Sequence, residues 1–395
     1  MLKRDGRRRH SFGTLRSRAS SQDLFWQTDM IAAMGPKAGF AGEYYGIQAL
    51  RAFAALAVVA VHSPRPSPWF HGQAGVDIFF VISGFVMMIS STRLLLKENP
   101  ARLFLWRRIL RIVPLYWLLT GLRLAMITIK PSISVHAKPS TWNIISSFLF
   151  IPSMTPDGPD HPLIIVGWTL NFEMLFYLLF AIALTLVHSR KAIEKRGGTL
   201  LFLVPAIGLI ALLGLLRTDA WPAWTALANP IVLEFLAGVM LARLTMMGSL
   251  PKPWLATIMV GLGLLGFLLL VPDTPEASSR VLFWGIPAIL VVYGAISLEG
   301  ILRPHIPQWL LLLGSASYAI YLIQGFIFPV IHTMSGLFFG RMVQESPSQA
   351  GWIMLAISLV LVAAAGVAVH LLIERRMTDY LKQLFGRERI SPVAL

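Results

Sequence analysis

A cation and an imidazole lie on one helical face near the start of the chain. Arg51 and His62 are eleven residues apart within an apolar stretch. Eleven residues of α-helix make three turns plus about 20°, so the two side chains project from one face about 16 Å apart. A charged side chain costs about 2.5–3.5 kcal/mol at the centre of a membrane helix, which makes both residues candidates for function.

The next apolar stretch opens with an acidic residue, Asp77. If the two stretches pack as antiparallel helices, Asp77 reaches the depth of His62. A carboxylate that accepts an imidazole N–H orients the ring and raises its basicity, as in acyl transfer by histidine general bases. We therefore predict catalytic roles for Arg51, His62 and Asp77. The alternative is that His62 only hydrogen-bonds a loop carbonyl.

Three arginines gather at the start of the third apolar stretch. Arg107 and Arg111 are four residues apart and Arg108 and Arg111 are three apart, so their guanidinium groups share one edge of a helix. Arginine binds phosphate oxygens through paired N–H groups. The spacing predicts a phosphate-binding cluster, and the alternative is contact with lipid headgroups at the cytoplasmic surface.

Polar residues also interrupt the fourth and ninth apolar stretches. Glu173 and Tyr177 lie one turn apart with Asn171 nearby, and a carboxylate at such a position must be neutralised or find a cation. We expect Glu173 in the catalytic site and predict that four residues bind substrate: Tyr177, Asn171, Trp168 and Gln324. The alternative is that these polar groups join helices to one another.

The composition is that of a membrane protein. The 395 residues are 56% hydrophobic and 13% charged, with a mean hydropathy of +0.68, whereas soluble domains carry about 25% charged residues. Absence of cysteine excludes disulfides, thiolate metal sites and a cysteine acyl-enzyme. The sequence lacks the phosphate-loop, serine-elbow, zinc-protease and Asp-x-Asp motifs, so we predict neither a metal site nor a permanently bound cofactor.

Apolar runs of about 20 residues predict an all-α polytopic fold. We expect about ten transmembrane helices, at residues 46–63, 74–92, 110–129, 163–187, 199–216, 225–245, 253–271, 280–297, 309–333 and 351–373. Residues 142–154 are apolar but too short to cross a hydrocarbon core of about 30 Å, so they predict a re-entrant or interfacial segment.

The basic residues predict the orientation. With the N-terminus inside, 26 of the 34 Lys and Arg residues fall on cytoplasmic segments and six on outer loops. This asymmetry follows the positive-inside rule and places both termini in the cytoplasm. The net charge of +15 is thus explained without nucleic acid. We divide the chain into a disordered basic tail (1–43), a membrane domain (44–376) and a cytoplasmic tail (377–395).

These residues resemble acyltransferase family 3, the bacterial membrane O-acyltransferases that acetylate surface glycans. Arg51-x10-His62 is similar to the family's signature, and its further motifs are matched in order by residues 75–85, 107–114, 168–173 and 317–322. The sequence of these motifs is most similar to that of the exopolysaccharide (succinoglycan-type) branch. Gln324 departs from the histidine of many members, and glutamine can orient a group but cannot accept a proton.

The resemblance implies acetyl-CoA, or another acyl-CoA, as donor substrate and a surface polysaccharide or lipid-linked glycan as acceptor. It implies a multi-pass protein of the bacterial inner membrane. On this reading the arginine cluster holds the nucleotide phosphates, and His62 deprotonates a sugar hydroxyl that attacks the thioester. The alternatives are a proton-coupled transporter or exporter of glycans, and a polymerase or ligase of lipid-linked sugars.

Overall fold

The computed structural model describes residues 44–63, 72–92, 94–95, 97–130, 139–153, 161–188, 198–218, 221–269 and 277–385. The predicted tail 1–43 lies outside these residues, as does the end of the predicted tail 377–395 from residue 386 onward. The described residues are mostly helical and contain no β-strand.

Fifteen helices follow one another along the described part of the chain. They are α1 Tyr45–His62, α2 Gly75–Ser91, α3 Pro100–Ile129, α4 Thr141–Leu149, α5 Trp168–His188, α6 Gly198–Leu216, α7 Val232–Met246, α8 Pro253–Leu269, α9 Ala277–Arg280, α10 Ile286–Ser297, α11 Glu299–Leu302, α12 Gln308–Ser315, α13 Ser317–Glu345, α14 Pro347–Val369 and α15 Arg375–Phe385. One π-helical turn, Val281–Gly285, joins α9 to α10, and another, His370–Glu374, joins α14 to α15.

Within the described residues, seven helices are long and apolar enough to cross a membrane, and a helix pair bent by 62° at residue 298 raises the number to eight. Helices α2 and α8 are apolar but have only 17 residues each. The predicted polytopic all-α fold is thus confirmed, while the predicted number of ten is approximate because it includes these two shorter helices.

The third and ninth spans differ in extent from their prediction. Helix α3 begins at Pro100, ten residues before the predicted start, because proline suits the first turn of a helix and the arginine-rich segment continues the helix beyond the apolar run. The predicted span 309–333 is divided into α12 and α13 at Ala316.

The short apolar segment forms the nine-residue helix α4, which is too short to cross a bilayer. Its polar face is buried and holds Asn143, Ser146 and Ser147, while Trp142 and Leu149 are exposed. A helix with its polar side inward and its apolar side outward is oriented for an apolar surrounding.

Aromatic rings pack in the core around the crossing of α2 and α7. Phe176 of α5 stacks on Phe235 of α7 with ring centroids 4.1 Å apart, and Phe80 of α2 meets Phe176 edge-on at 5.6 Å. Backbones approach closely at this crossing, since a Cβ atom on Gly84 would overlap Phe235 O and one on Gly238 would overlap Val81 O. Small residues allow such close packing of membrane helices.

We therefore expect Gly84→Ala to destabilise the protein by about 1–3 kcal/mol, because the added methyl group has no space at the crossing. The free energy of unfolding is measurable by denaturation in mixed detergent micelles. Gly261→Ala in α8 is the matched control, since nothing lies within 4 Å of its Cβ position, and it should be neutral or slightly stabilising. Equal effects of the two substitutions would contradict the close crossing.

Candidate active site

Five helices enclose a cavity of about 130 Å³ inside the membrane domain. Its charged lining residues are Arg51 of α1, Arg108 and Arg111 of α3, and Glu173 of α5. Hydroxyl groups complete the polar lining, from Ser83, Thr169, Tyr177, Ser317, Tyr318 and Tyr321. Three cations and one carboxylate therefore share a small space within an apolar protein.

Neutral groups hold two of the three arginines. Arg51 Nη2 donates to Ser317 Oγ at 3.0 Å, and Arg108 Nη2 donates to Ser90 Oγ at 2.6 Å. Arg111 makes no hydrogen bond with any described residue, and none of the three has a carboxylate oxygen within 4.0 Å among those residues. The cationic charge is only partly compensated, which suits the binding of an anion.

Glu173 supplies the carboxylate of the cavity. Its Oε1 accepts from Ser83 Oγ at 2.6 Å and from Tyr177 Oη at 2.8 Å. Two hydroxyl donors on one oxygen fix the carboxylate in the wall and stabilise its charge. Glu173 and Tyr177 are thus brought together as their spacing predicts.

Arg107 does not line the cavity with Arg108 and Arg111, contrary to the prediction that all three form one cluster. The reason is helical geometry. Arg107 and Arg108 differ by 100° around the helix, so they lie on opposite sides of Arg111, and the cavity is on the side of Arg108. The Arg107 Nε atom is buried without a hydrogen-bond partner in the described part of the chain.

The predicted contact between Asp77 and His62 is wrong. Asp77 is fully buried, and its two oxygens accept from Arg280 Nε at 3.0 Å and Nη2 at 2.8 Å. Arg280 also lies over the ring of Trp284, 4.6 Å from its centroid. A buried carboxylate requires a cation, and Arg280 provides it from the start of the eighth span.

His62 is the last residue of α1 and its side chain is exposed. Its Nδ1 atom lies 2.8 Å from Val58 O, and its ring is parallel to that of Phe328 at 6.4 Å. A carbonyl oxygen can only accept a hydrogen bond, so Nδ1 carries the proton and Nε2 of the neutral ring keeps its lone pair. The ring is therefore oriented by a carbonyl of its own helix instead of by Asp77.

The remaining predicted substrate-binding residues lie outside the cavity lining. Asn171 is buried, and its Oδ1 has no partner in the described residues. Trp168 meets Phe172 edge-on at 5.9 Å. Gln324 donates from Nε2 to Tyr321 O at 2.8 Å, within its own helix. Only Tyr177 of this group reaches the cavity.

Several residues of the site had no assigned role in the sequence. Ser317 holds Arg51, and the Tyr321 hydroxyl lies 3.0 Å from Thr169 Oγ1 and donates to Val166 O at 3.0 Å. Both belong to the motif at residues 317–322, whose small residues suggest close packing more than polar contacts. The partner of Asp77, Arg280, is 203 residues away in sequence and carries no local signal.

Comparisons with known proteins identify the family. The family described as "Acyltransferase domain" matches residues 44–372. The chain is 33% identical to the exopolysaccharide production protein ExoZ of Rhizobium meliloti, over 77% of this chain and 89% of that protein. It is 28% identical to the acyltransferase MdmB of Streptomyces mycarofaciens, over 87% and 92%.

A shorter match of 164 residues joins the chain to the O-acetyltransferase OatA of Staphylococcus aureus, at 32% identity over 37% of this chain and 26% of that protein. No solved structure matches the chain. Because the family match covers nearly all of the described membrane helices, the chain belongs to the acyltransferase 3 family and is a membrane-bound acyltransferase.

Proposed function

We propose that this acyltransferase transfers an acyl group, which we expect to be acetyl, from acyl-CoA to a hydroxyl of an exopolysaccharide or other surface glycan. The similarity to an exopolysaccharide production protein supports the acceptor class. The similarity to an O-acetyltransferase supports oxygen as the accepting atom. Membership of an acyltransferase family disfavours the alternatives of a transporter or a glycan polymerase.

The state of the His62 ring carries the proposal. Its Nδ1–H is used by Val58 O at 2.8 Å, so the exposed Nε2 is free to accept a proton from a substrate hydroxyl. A base that is already oriented and in the correct tautomer is what general-base catalysis needs.

The cationic cavity suits the phosphate end of the donor. Arg108 and Arg111 line the cavity, and Arg51 extends its cationic surface toward α1. At about 130 Å³ the cavity is smaller than the 300–1,000 Å³ typical of complete ligand pockets, so it fits only part of a coenzyme. In acyl-CoA the thioester is at the opposite end of the pantetheine arm from the diphosphate. The rise of about 16 Å along α1 between Arg51 and His62 accommodates that separation.

The reaction then needs no external reagent. His62 Nε2 takes the proton of the sugar hydroxyl while the oxygen attacks the thioester carbonyl. The tetrahedral intermediate expels the thiolate of coenzyme A, which takes the proton from the imidazolium. Glu173 and Tyr177 position substrate in this scheme, and the arginines lower the cost of negative charge nearby.

The distribution of basic residues supports a location in the bacterial inner membrane with both termini in the cytoplasm. Acyl-CoA would enter from the cytoplasm at Arg51 and the α3 arginines, near the N-terminal ends of α1 and α3. The acceptor would meet His62 at the opposite end of α1.

Two measurements test the function. Purified protein in detergent, given radiolabelled acetyl-CoA and the polysaccharide of its own host, should produce a labelled polysaccharide from which alkali releases acetate. A deletion strain should lose ester signals from its surface polysaccharide in NMR spectra. Unchanged ester content in that strain would refute the proposed acceptor class.

We expect Arg111→Ala to raise the KM for acyl-CoA about 10- to 100-fold, since a hydrogen bond to a charged group contributes about 1.5–3 kcal/mol. The KM for the polysaccharide should change little. Arg102→Ala is the control, because Arg102 is an exposed residue on the same helix outside the cavity. An unchanged donor dependence in Arg111→Ala would remove Arg111 from the phosphate site.

A further inference from the structure

One face of α3 continues beyond the donor cavity as a row of polar residues. Arg108 and Ile112 line the cavity, and Tyr116, Thr120 and Arg123 follow at intervals of four, four and three residues. These intervals keep all five on one side of the helix. In the orientation proposed above, the row leads from the donor cavity toward the outer surface.

Beyond the cavity, the polar side-chain atoms of this row have no hydrogen-bond partner outside the row among the described residues. Arg123 is only 9% exposed, its Nη1 is buried, and its guanidinium makes no hydrogen bond or ion pair within the described residues. The hydroxyls of Tyr116 and Thr120 are fully buried, and each has at most the other as a weak partner. Nearly all buried polar groups in proteins are satisfied, so unsatisfied ones in a row point to an occupant that is not part of the chain.

The surroundings of the row are built by the short segment after α3. The ring of Phe150 lies 4.7 Å from that of Tyr116, and Trp117 Nε1 donates to Phe148 O at 2.8 Å. Asn143 Nδ2 and Ser146 Oγ both bond Ser153 Oγ, at 3.0 and 2.7 Å. Asn143 and Ser146 thus bond within this segment and not to the α3 row.

We propose that Arg123 binds an oxyanion carried by the acceptor. This inference rests on the proposed function. A buried cation without a counter-charge costs several kcal/mol, and guanidinium groups pair well with phosphate and carboxylate oxygens. A neutral glycan would leave this cost uncompensated. The acceptor is therefore anionic, through the phosphate of a lipid-linked precursor or the carboxylate of an acidic sugar.

Binding is testable without the transfer reaction. The full-length protein in detergent is saturated with coenzyme A so that the donor cavity is filled. Inorganic phosphate, glucuronate or glucose is then added, and the thermal unfolding midpoint is recorded. A ligand that binds the folded state raises the midpoint in a saturable way. We expect such a rise with phosphate or glucuronate and none with glucose.

The variants assign the binding to Arg123. Arg123→Gln should raise the half-saturating anion concentration at least tenfold, Arg123→Lys should restore part of the affinity, and Arg102→Gln should behave as wild type. If Arg123→Gln does not fold, Arg123→Lys, which retains the charge but loses the guanidinium geometry, should still raise that concentration severalfold. A response to phosphate alone indicates a lipid-linked acceptor, and a response to glucuronate alone indicates an acidic polysaccharide.

The proposal is overturned if neither anion gives a saturable shift, if glucose shifts the midpoint equally, or if the shift is unchanged in Arg123→Gln. In the transfer assay, Arg123→Gln should raise the KM for the acceptor and leave that for acyl-CoA unchanged. A protein that binds anions at Arg123 but transfers no acyl group would refute the proposed function and leave this site in place.

Discussion

Replacing His62 with alanine is expected to lower kcat for polysaccharide acetylation by about 10²- to 10⁴-fold, the range that general-base catalysis contributes. The substitution removes the imidazole whose Nδ1 is already bonded to Val58 O and whose Nε2 is the proposed proton acceptor. The loss should appear in kcat and leave the KM for acyl-CoA nearly unchanged, because the phosphate end of the donor is assigned to the arginines and not to the imidazole.

The measurement is transfer of radiolabelled acetyl groups by purified protein, normalised to the folded fraction. His305→Ala is the matched control. His305 is also exposed, and its Nδ1 bonds the carbonyl of Ile301 at 2.9 Å in the same i−4 geometry that joins His62 to Val58. Equal activity of the two variants would show that His62 is an ordinary helix-terminal histidine, and the mechanism proposed here would fail.

The sequence predicted much of this site because its residues obey helical spacing. Arg51, Arg108, Arg111 and Glu173 are unusual within apolar segments, and each was identified from its own helix alone. The structure adds that these four meet in one cavity. That assembly depends on which helices are neighbours, which local periodicity does not specify.

The errors have the same origin. The prediction paired Asp77 with His62 because antiparallel packing of two consecutive helices would bring both to the same depth in the membrane. The partner of Asp77 is instead Arg280, from a helix far along the chain. Arg107 was grouped with its neighbours because spacing gives angles around a helix but not the direction of the cavity. The predicted boundary of the third span failed where arginine-rich sequence stays helical beyond the apolar run.

The pair formed by Asp77 and Arg280 should contribute strongly to stability, and the two partners should contribute unequally. Removing one member of a buried ion pair typically costs about 3–5 kcal/mol because the other charge remains buried. Beside the pair lies Glu234, which is fully buried and interacts with both Asp77 and Arg280.

Arg280→Ala leaves two buried carboxylates without their cation, whereas Asp77→Ala leaves Glu234 to compensate Arg280. We therefore expect the larger loss of unfolding free energy in Arg280→Ala, at the upper end of that range. The double variant should lose less than the sum of the single losses, because the two groups interact directly. Unfolding in mixed detergent micelles measures all three values.

Asp379→Ala is the control for a surface pair, since Asp379 lies 3.7 Å from Lys382 with both side chains more than half exposed, and it should cost less than about 1 kcal/mol. If Asp77 oriented His62 instead of holding Arg280, Asp77→Ala would lower kcat without thermodynamic coupling to Arg280→Ala. Strong coupling with normal kcat per folded molecule would show that Asp77 joins the second and eighth spans through Arg280, and would leave the Val58 carbonyl as the group that sets the tautomer of His62.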